Sequence, residues 1–330
     1  MKDMRNTSAY PAWIDLHLHL DGSLSLKTTR KLAGMQGIPF AYSDNELKQI
    51  MSVHSDCCSL NDYLERFQLP CSLLHIREAL YLCTYELLEE LYNQGLQYAE
   101  IRFAPQKSCA DGLTQHQAVE IVLRAIADAP LPCGLILSMM RGDDNQAENR
   151  ETIEVARQFI GKGVVAVDLA GAEALYPTHL FREEFALVRQ AGIPLIIHAG
   201  EAAGAESVRV AIEAGASRIG HGVRSLEDPE VIEMLKERAI TLELCPTSNL
   251  HTAIYPSYDQ YPLRKLLNAG VRVSLNTDNM TVSNTTLQEE WQHMIETFAL
   301  TDEEIRTIVR YSIEASFAPE TLKKMLLAKL

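Results

Sequence analysis

Two histidines, His17 and His19, stand two residues apart in the segment WIDLHLHLDGSL, Trp13 to Leu24, which otherwise alternates apolar and short polar residues. A period of two belongs to a β-strand and turns both imidazoles to one face of the sheet. Paired neutral imidazoles suit a single divalent metal, each offering a nitrogen about 2.0–2.1 Å from zinc. Two core histidines would produce the same local pattern, so the decision rests on whether later strands end in further ligands. They do. Later apolar runs end in Asp168–Gly171, His198-Ala-Gly-Glu201, His221 and Asp278-Asn279. His17, His19, His198 and Asp278 form a three-His, one-Asp set suited to one zinc, with a position left for water. His221, set between Gly220 and Gly222, can act as a base or orient the attack of such a water, and the glycines let a ligand approach the backbone. Glu201, just past its strand, gains a raised pKa if it is shielded from water and can then donate a proton.

The elements that must position these groups follow from the pattern around them. Short β-rich runs recur at Trp13–Leu24, Tyr98–Pro105, Cys133–Arg141, Val164–Gly171, Pro194–Glu201, Ser217–Val223, Ile240–Asn249 and Val271–Asn279, each followed by a helical pattern. Strands alternating with helices imply parallel βαβ units. Eight of them predict an α/β protein, a single (β/α)8 TIM barrel in which functional side chains gather at the C-terminal ends of the strands. Gln115–Asp128 carries an apolar face, Asp228-Pro229 opens a helix, and Gly192 and Gly215 stand where left-handed helix caps are wanted. Between the first two strands, a helical insertion over about 40–92 is predicted to cover the barrel mouth. Within it, Ser43-Asp44-Asn45-Glu46 reads as a capped helix start and Asn61–Leu80 as a helix. Thr286–Phe298 and Asp302–Phe317 read as extra C-terminal helices, and residues 1–330 as one domain.

Composition narrows the class. The 330 residues carry a formal net charge of −14, which disfavours nucleic acid and anionic membrane surfaces as partners. The N-terminal MKDMRNTSAYPAW has no apolar h-region and no run reaches membrane-spanning length, so a cytoplasmic protein is expected. The seven cysteines, Cys57, Cys58, Cys71, Cys83, Cys109, Cys133 and Cys245, show no CxxC spacing and read as small buried hydrophobes in a reducing compartment. The fourth strand ends Asp168-Leu169-Ala170-Gly171-Ala172 without a bridging lysine, so one metal is expected rather than two. There is no GxSxG elbow and no P-loop, which removes support for acyl-enzyme hydrolysis and nucleotide triphosphate cleavage.

Taken in order, HLHLDGSL, DLAGAE, HAGE, RIGHGV, LCPTSN and SLNTDN resemble the adenosine deaminases of the metal-dependent amidohydrolase group, from Ile14 to about Asn284. The resemblance implies a (β/α)8 barrel with one zinc per chain and hydrolytic deamination of adenosine and 2′-deoxyadenosine in purine salvage. It implies His17, His19, His198 and Asp278 as zinc ligands, Glu201 as the acid at purine N1, and His221 as the group that holds or deprotonates the attacking water. It further implies the Gly171 amide as a donor to N3, Asp21 at the ribose 5′-hydroxyl, and Leu60, Tyr63, Leu64 and Phe67 as an apolar cover, a stripe that helix packing alone would also explain. His19 also falls beside the substrate. Where many members read Asp-Asp, this chain reads Asp278-Asn279. An asparagine amide donates to N7 without any pKa shift. Rival substrates are adenine, an N6-modified AMP or aminodeoxyfutalosine. A nucleotide would want a basic cluster at the mouth, for which Lys27, Arg30 and Lys31 are the candidates. A catalytically silent relative would lack one of these polar groups, and all are present. Oligomeric state is not legible.

Overall fold

The computed structural model describes residues 12–54, 57–110 and 112–330; the N-terminal stretch through Pro11, in which no apolar h-region was found, lies outside them. All eight expected strands form, as β1 (Ile14–His19), β2 (Tyr98–Phe103), β3 (Cys133–Met140), β4 (Val164–Ala170), β5 (Leu195–Ala199), β6 (Arg218–His221), β7 (Thr241–Leu244) and β8 (Arg272–Leu275). They pair in parallel and in sequence order, each with the next, in one sheet. The turn following β8 then meets β1. Asp278 N–H donates to His17 O at 2.8 Å and His19 N–H donates to Asp278 O at 2.7 Å. Asp15, fully buried, accepts from the Thr277 hydroxyl at 2.6 Å and from the Thr277 N–H at 3.2 Å. This seam closes the (β/α)8 barrel and brings residues some 260 positions apart into contact.

Helix boundaries follow local chemistry. Gln115–Asp128 forms as expected, with Ala118, Val119 and Val122 buried and Thr114 in a capping box with Gln117. The helix Ala205–Ala214 ends at Gly215, whose φ of 90° is the left-handed cap. In the insertion Ser43 caps Asp44–Met51 through a capping box with Glu46. The helix expected over Asn61–Leu80 is broken instead. Leu60–Leu64 passes into a 3-10 turn at Glu65–Phe67, then Gln68–Ser72, and a separate helix runs Arg77–Asn93. Pro70 accounts for the first break, since it lacks an N–H and its ring opposes the carbonyl four residues back, at Arg66. At the C-terminus Leu287–Phe298 and Asp302–Ala315 form, followed by Glu320–Leu327, which the sequence reading did not include. Phe317 leaves the second of these helices to stack under the barrel, its ring 4.3 Å from the Arg218 guanidinium carbon.

The strands bury charge as well as apolar side chains. Arg218 donates to Glu100 at 2.5 Å and to Glu243 at 2.6 Å, and Arg102 donates to Glu243 at 2.9 Å and to Asp168 at 3.3 Å. All five are essentially inaccessible. Buried charges persist only when paired in this way. The network forms a rigid floor beneath the C-terminal mouth.

Among the described residues no helix is long and apolar enough to cross a membrane. Of the seven cysteines only Cys83 and Cys245 are buried and Cys58 is exposed, so the expectation of uniformly buried thiols does not hold. Cys58 sits in the insertion, beside the solvated Asp62.

Candidate active site

The imidazoles of β1 and β5 converge on Asp278. His17 Nε2 lies 3.3 Å and His19 Nε2 3.4 Å from Asp278 Oδ1, and His19 Nε2 lies 3.2 Å from His198 Nε2. One donor atom from each of His17, His19, His198 and Asp278 falls within 4.8 Å of the others. His17 Nε2 is buried with no hydrogen-bond partner. Such an orphan, among nitrogens whose lone pairs face one another, fits a divalent cation at their centre. His17, His221, Cys245 and Asp278 also lie close. Burial pushes the Cys245 thiol well up, and a neutral thiol is a poor ligand, so the three-His set suits the ion better.

Two buried carboxylates orient the rings. Glu243 Oε2 lies 2.8 Å from His17 Nδ1, and Asp168 Oδ1 lies 3.0 Å from His198 Nδ1. Each accepts the Nδ1 proton and leaves Nε2 unprotonated toward the centre. Burial opposes the charge on Glu243, yet Arg102 and Arg218 hold its carboxyl well below the usual range. Asp278 is likewise held low against its burial by His17, and Ser248 Oγ donates to its Oδ2 at 2.6 Å. Burial depresses His19 strongly and His198 as well, so both rings stay neutral and available as ligands. Sequence reasoning missed Glu243, Arg102 and Ser248. For Glu243 and Arg102 the available signal was a charged residue within an otherwise apolar strand.

Both His221 and Asp278 carry a φ of +60°, a left-handed backbone conformation that costs non-glycine residues about 1–3 kcal/mol. Strain at two polar side chains of one mouth is a mark of function. Gly220 serves a purpose other than ligand approach. A Cβ there would lie 3.0 Å from His17 Cε1 and 3.2 Å from His198 Cγ, so the glycine makes room for the imidazoles. His221 Nε2 faces Glu201 Oε2 at 3.6 Å, and its Nδ1 lies 3.1 Å from Asn249 Nδ2. Asn249 Oδ1 accepts from the Tyr261 hydroxyl at 3.0 Å, which leaves the amide nitrogen as donor to Nδ1. Burial keeps the ring neutral, so its one proton sits on Nε2.

Glu201 is 4% exposed, and burial, reinforced by the Asp278 charge, pushes its carboxyl well above the ordinary carboxylate range. Its loop is held by Glu173, a further residue that sequence reasoning left unassigned. The Glu173 carboxylate accepts from the N–H groups of Gly200, Glu201 and Ala203 at 2.8, 3.0 and 2.9 Å, and from Ser207 Oγ at 2.5 Å.

These groups open into a cavity of about 360 Å³. Its lining includes His19, Asp21, Gly171, His198, Glu201, His221, Asp278 and Asn279, with Leu60, Tyr63, Leu64 and Phe67 of the insertion opposite them. His17 lies beneath, fully buried. The basic candidates named from sequence are not in this lining. Arg30 pairs with Asp44 and Lys31 with Glu86, because their helix faces the insertion and the helix Arg77–Asn93. The cations that do line the cavity are Lys107 and Arg141, the latter bound to the carbonyls of Tyr176 and His198.

A closed parallel barrel with a histidine and aspartate donor set at its C-terminal mouth defines the metal-dependent barrel hydrolases. The family model described as Adenosine deaminase matches residues 13–330. The chain belongs to the adenosine deaminase family and is a hydrolytic deaminase. It is 45% identical over 326 residues to an adenosine deaminase of Haemophilus ducreyi, covering 96% of this chain and 95% of that protein. A Clostridium perfringens adenosine deaminase is 41% identical over 319 residues, covering 95% and 96%. Among solved structures, the adenine deaminase of Arthrobacter aurescens superposes with a TM-score of 0.87 at 26% identity, covering 97% of this chain and 98% of that one.

Proposed function

We propose that the chain converts adenosine and 2′-deoxyadenosine to inosine and deoxyinosine with release of ammonia. The observation that carries this reading is Glu201, a carboxyl that burial keeps protonated, in one cavity with the His17, His19, His198 and Asp278 donor set. Those four side chains would hold one zinc ion, which when bound supplies water activated near neutral pH. Glu201 donates its proton to N1 of the purine, drawing electrons from C6 and opening it to attack. His221, with its proton on Nε2, holds the incoming oxygen on the C6 side. The Gly171 amide and the Asn279 side chain fix N3 and N7, Asp21 takes the 5′-hydroxyl, and Leu60, Tyr63, Leu64 and Phe67 exclude water from the base.

A nucleoside suits the cavity better than a nucleotide. A 5′-phosphate would meet the carboxylate of Asp21, and of the two cations in the lining Arg141 is already committed to protein carbonyls, which leaves Lys107 alone to offset it. The free thiols of Cys71, Cys83, Cys109, Cys133 and Cys245 suit a reducing compartment, the cytoplasm. The test is a substrate panel of adenosine, 2′-deoxyadenosine, adenine and AMP, followed by absorbance with and without a chelator. Adenosine is expected to be turned over fastest, with activity lost to the chelator and restored by zinc. Faster turnover of adenine or AMP would overturn the substrate assignment.

A further inference from the structure

Arg141 lines the cavity, yet the groups its guanidinium reaches are protein atoms around two neighbouring strand ends. It donates from Nη1 to Tyr176 O at 2.5 Å, and from Nη2 to His198 O at 2.6 Å and Thr178 Oγ1 at 2.9 Å. Thr178 Oγ1 lies 2.6 Å from Ser207 Oγ, which donates to Glu173 Oε1 at 2.5 Å. Four donors converge on the Glu173 carboxyl, Gly200 N–H and Ser207 Oγ on Oε1 and Glu201 N–H and Ala203 N–H on Oε2, which leaves it no hydrogen to give. The direction of every hydrogen in the chain follows. An arginine only donates, so Thr178 accepts from Arg141 and gives its one hydrogen to Ser207, and Ser207 gives its own to Glu173. Arg141, Thr178, Ser207 and Glu173 are all buried, where a cut in such a chain leaves polar atoms unmatched. The loop is also pressed onto the helix that carries Ser207. Gly200 has a φ of 72°, and a Cβ there would run into Val208 in the first turn of Ala205–Ala214.

From this chain of contacts we infer that Thr178 and Ser207 are positioning residues for the deamination: through Glu173 they tie the loop that carries Glu201 to the guanidinium that also holds the carbonyl of His198, and so fix the proton donor relative to the metal-donor side of the cavity. The inference rests on the adenosine reading above. Thr178 belongs to the 3-10 turn Thr178–Phe181 after β4, and Ser207 to the first turn of the helix after β5, so neither is part of the strand ends that carry the reacting groups. What they contribute is placement. Glu201 has to meet N1 while the incoming oxygen meets C6, two adjacent atoms of one ring. An error in their relative position is therefore felt in the transition state more than in the binding of the base.

The experiment measures kcat and KM for adenosine in the zinc-loaded unaltered enzyme and in S207A, T178V and T178S, with thermal midpoints to confirm that each is folded. S207A cuts the chain at Glu173 and T178V cuts it at Arg141 while keeping the side chain's shape. Each is expected to lower kcat by about 3- to 10-fold, the worth of one buried hydrogen bond, with KM within about twofold. T178S loses packing but keeps the hydroxyl, and is expected to keep kcat within about twofold. The same two cuts are then made in E201Q. If they act through the acid, they are expected to change its residual turnover by less than about twofold. Unchanged kcat in S207A and T178V, an equal loss in T178S and T178V, or the same loss with and without Glu201 would each overturn the inference and leave the substrate reading intact. An unaltered enzyme that does not turn over adenosine would instead overturn that reading.

Discussion

An acid that must give up a proton to a weakly basic ring nitrogen at neutral pH has to be kept protonated until that moment. The chain achieves this at Glu201 by withdrawing the carboxyl from water and setting it near the charge of Asp278, both of which disfavour ionisation. The sign of the pH dependence follows: activity requires the protonated form, so it falls as pH rises through the raised folded value. Glu201→Gln keeps the shape and loses the transferable proton. Its kcat is expected to drop by about 10²–10⁴, the usual worth of general acid catalysis, while inosine still binds within a few-fold. Turnover close to that of the unaltered enzyme would remove Glu201 from the reaction. The same residue shows what sequence can and cannot reveal. Its place after a strand is legible, but its burial depends on Glu173 folding the 200–203 loop inward, a contact made across 28 positions.

At the scale of elements, the strands are legible because histidines and acids punctuate apolar runs, and a barrel puts every such ending at one mouth. What stays illegible is register. Glu243 reaches His17 and Arg102 only because their strands close into a cylinder, and periodicity within one strand does not state which neighbour it will meet. The break before Gln68–Ser72 is different in kind, since Pro70 is a local signal that the continuing apolar stripe overrode in the sequence reading. Glu290 is a further element-scale device. It lies on the helix Leu287–Phe298, accepts from Thr247 N at 3.1 Å and Thr285 Oγ1 at 2.7 Å, and burial pushes its carboxyl up from 4.5 to about 7. The folded protein therefore holds a proton that the unfolded chain releases. That stability is fully present below about pH 4.5 and is lost as pH rises through about 7, to an extent of at most about 3 kcal/mol. Glu290→Gln retains a neutral group of the same shape. Thermal midpoints across this window are expected to fall less with rising pH in the variant than in the unaltered protein. Parallel curves would show that Glu290 does not carry the proton.

At the scale of the whole molecule, the candidate metal donors span the seam that closes the barrel. His17 and His19 come from β1, His198 from β5, and Asp278 from the turn that joins β8 back to β1. An ion bound there links both sides of the seam and is absent from the unfolded chain, so its binding adds directly to folding stability. With free ion at about a thousandfold over its dissociation constant the gain is about 4 kcal/mol, worth about 5 °C for a chain of this size. Removing the metal with a chelator is expected to lower the midpoint by this order, and added zinc to restore it. Asp278→Asn, which cannot supply the anionic ligand, is expected to lose most of the zinc-dependent shift. Glu243→Gln tests the buried charge network from the other side. It keeps a hydrogen-bonding group at His17 but removes the anion between Arg102 and Arg218, and a lost outer-shell partner typically costs 10- to 100-fold in metal affinity. Its midpoint is therefore expected to recover only at correspondingly higher zinc. Identical midpoints with and without zinc in the unaltered protein would mean that these four side chains do not share an ion. The seam would then be held by its hydrogen bonds alone.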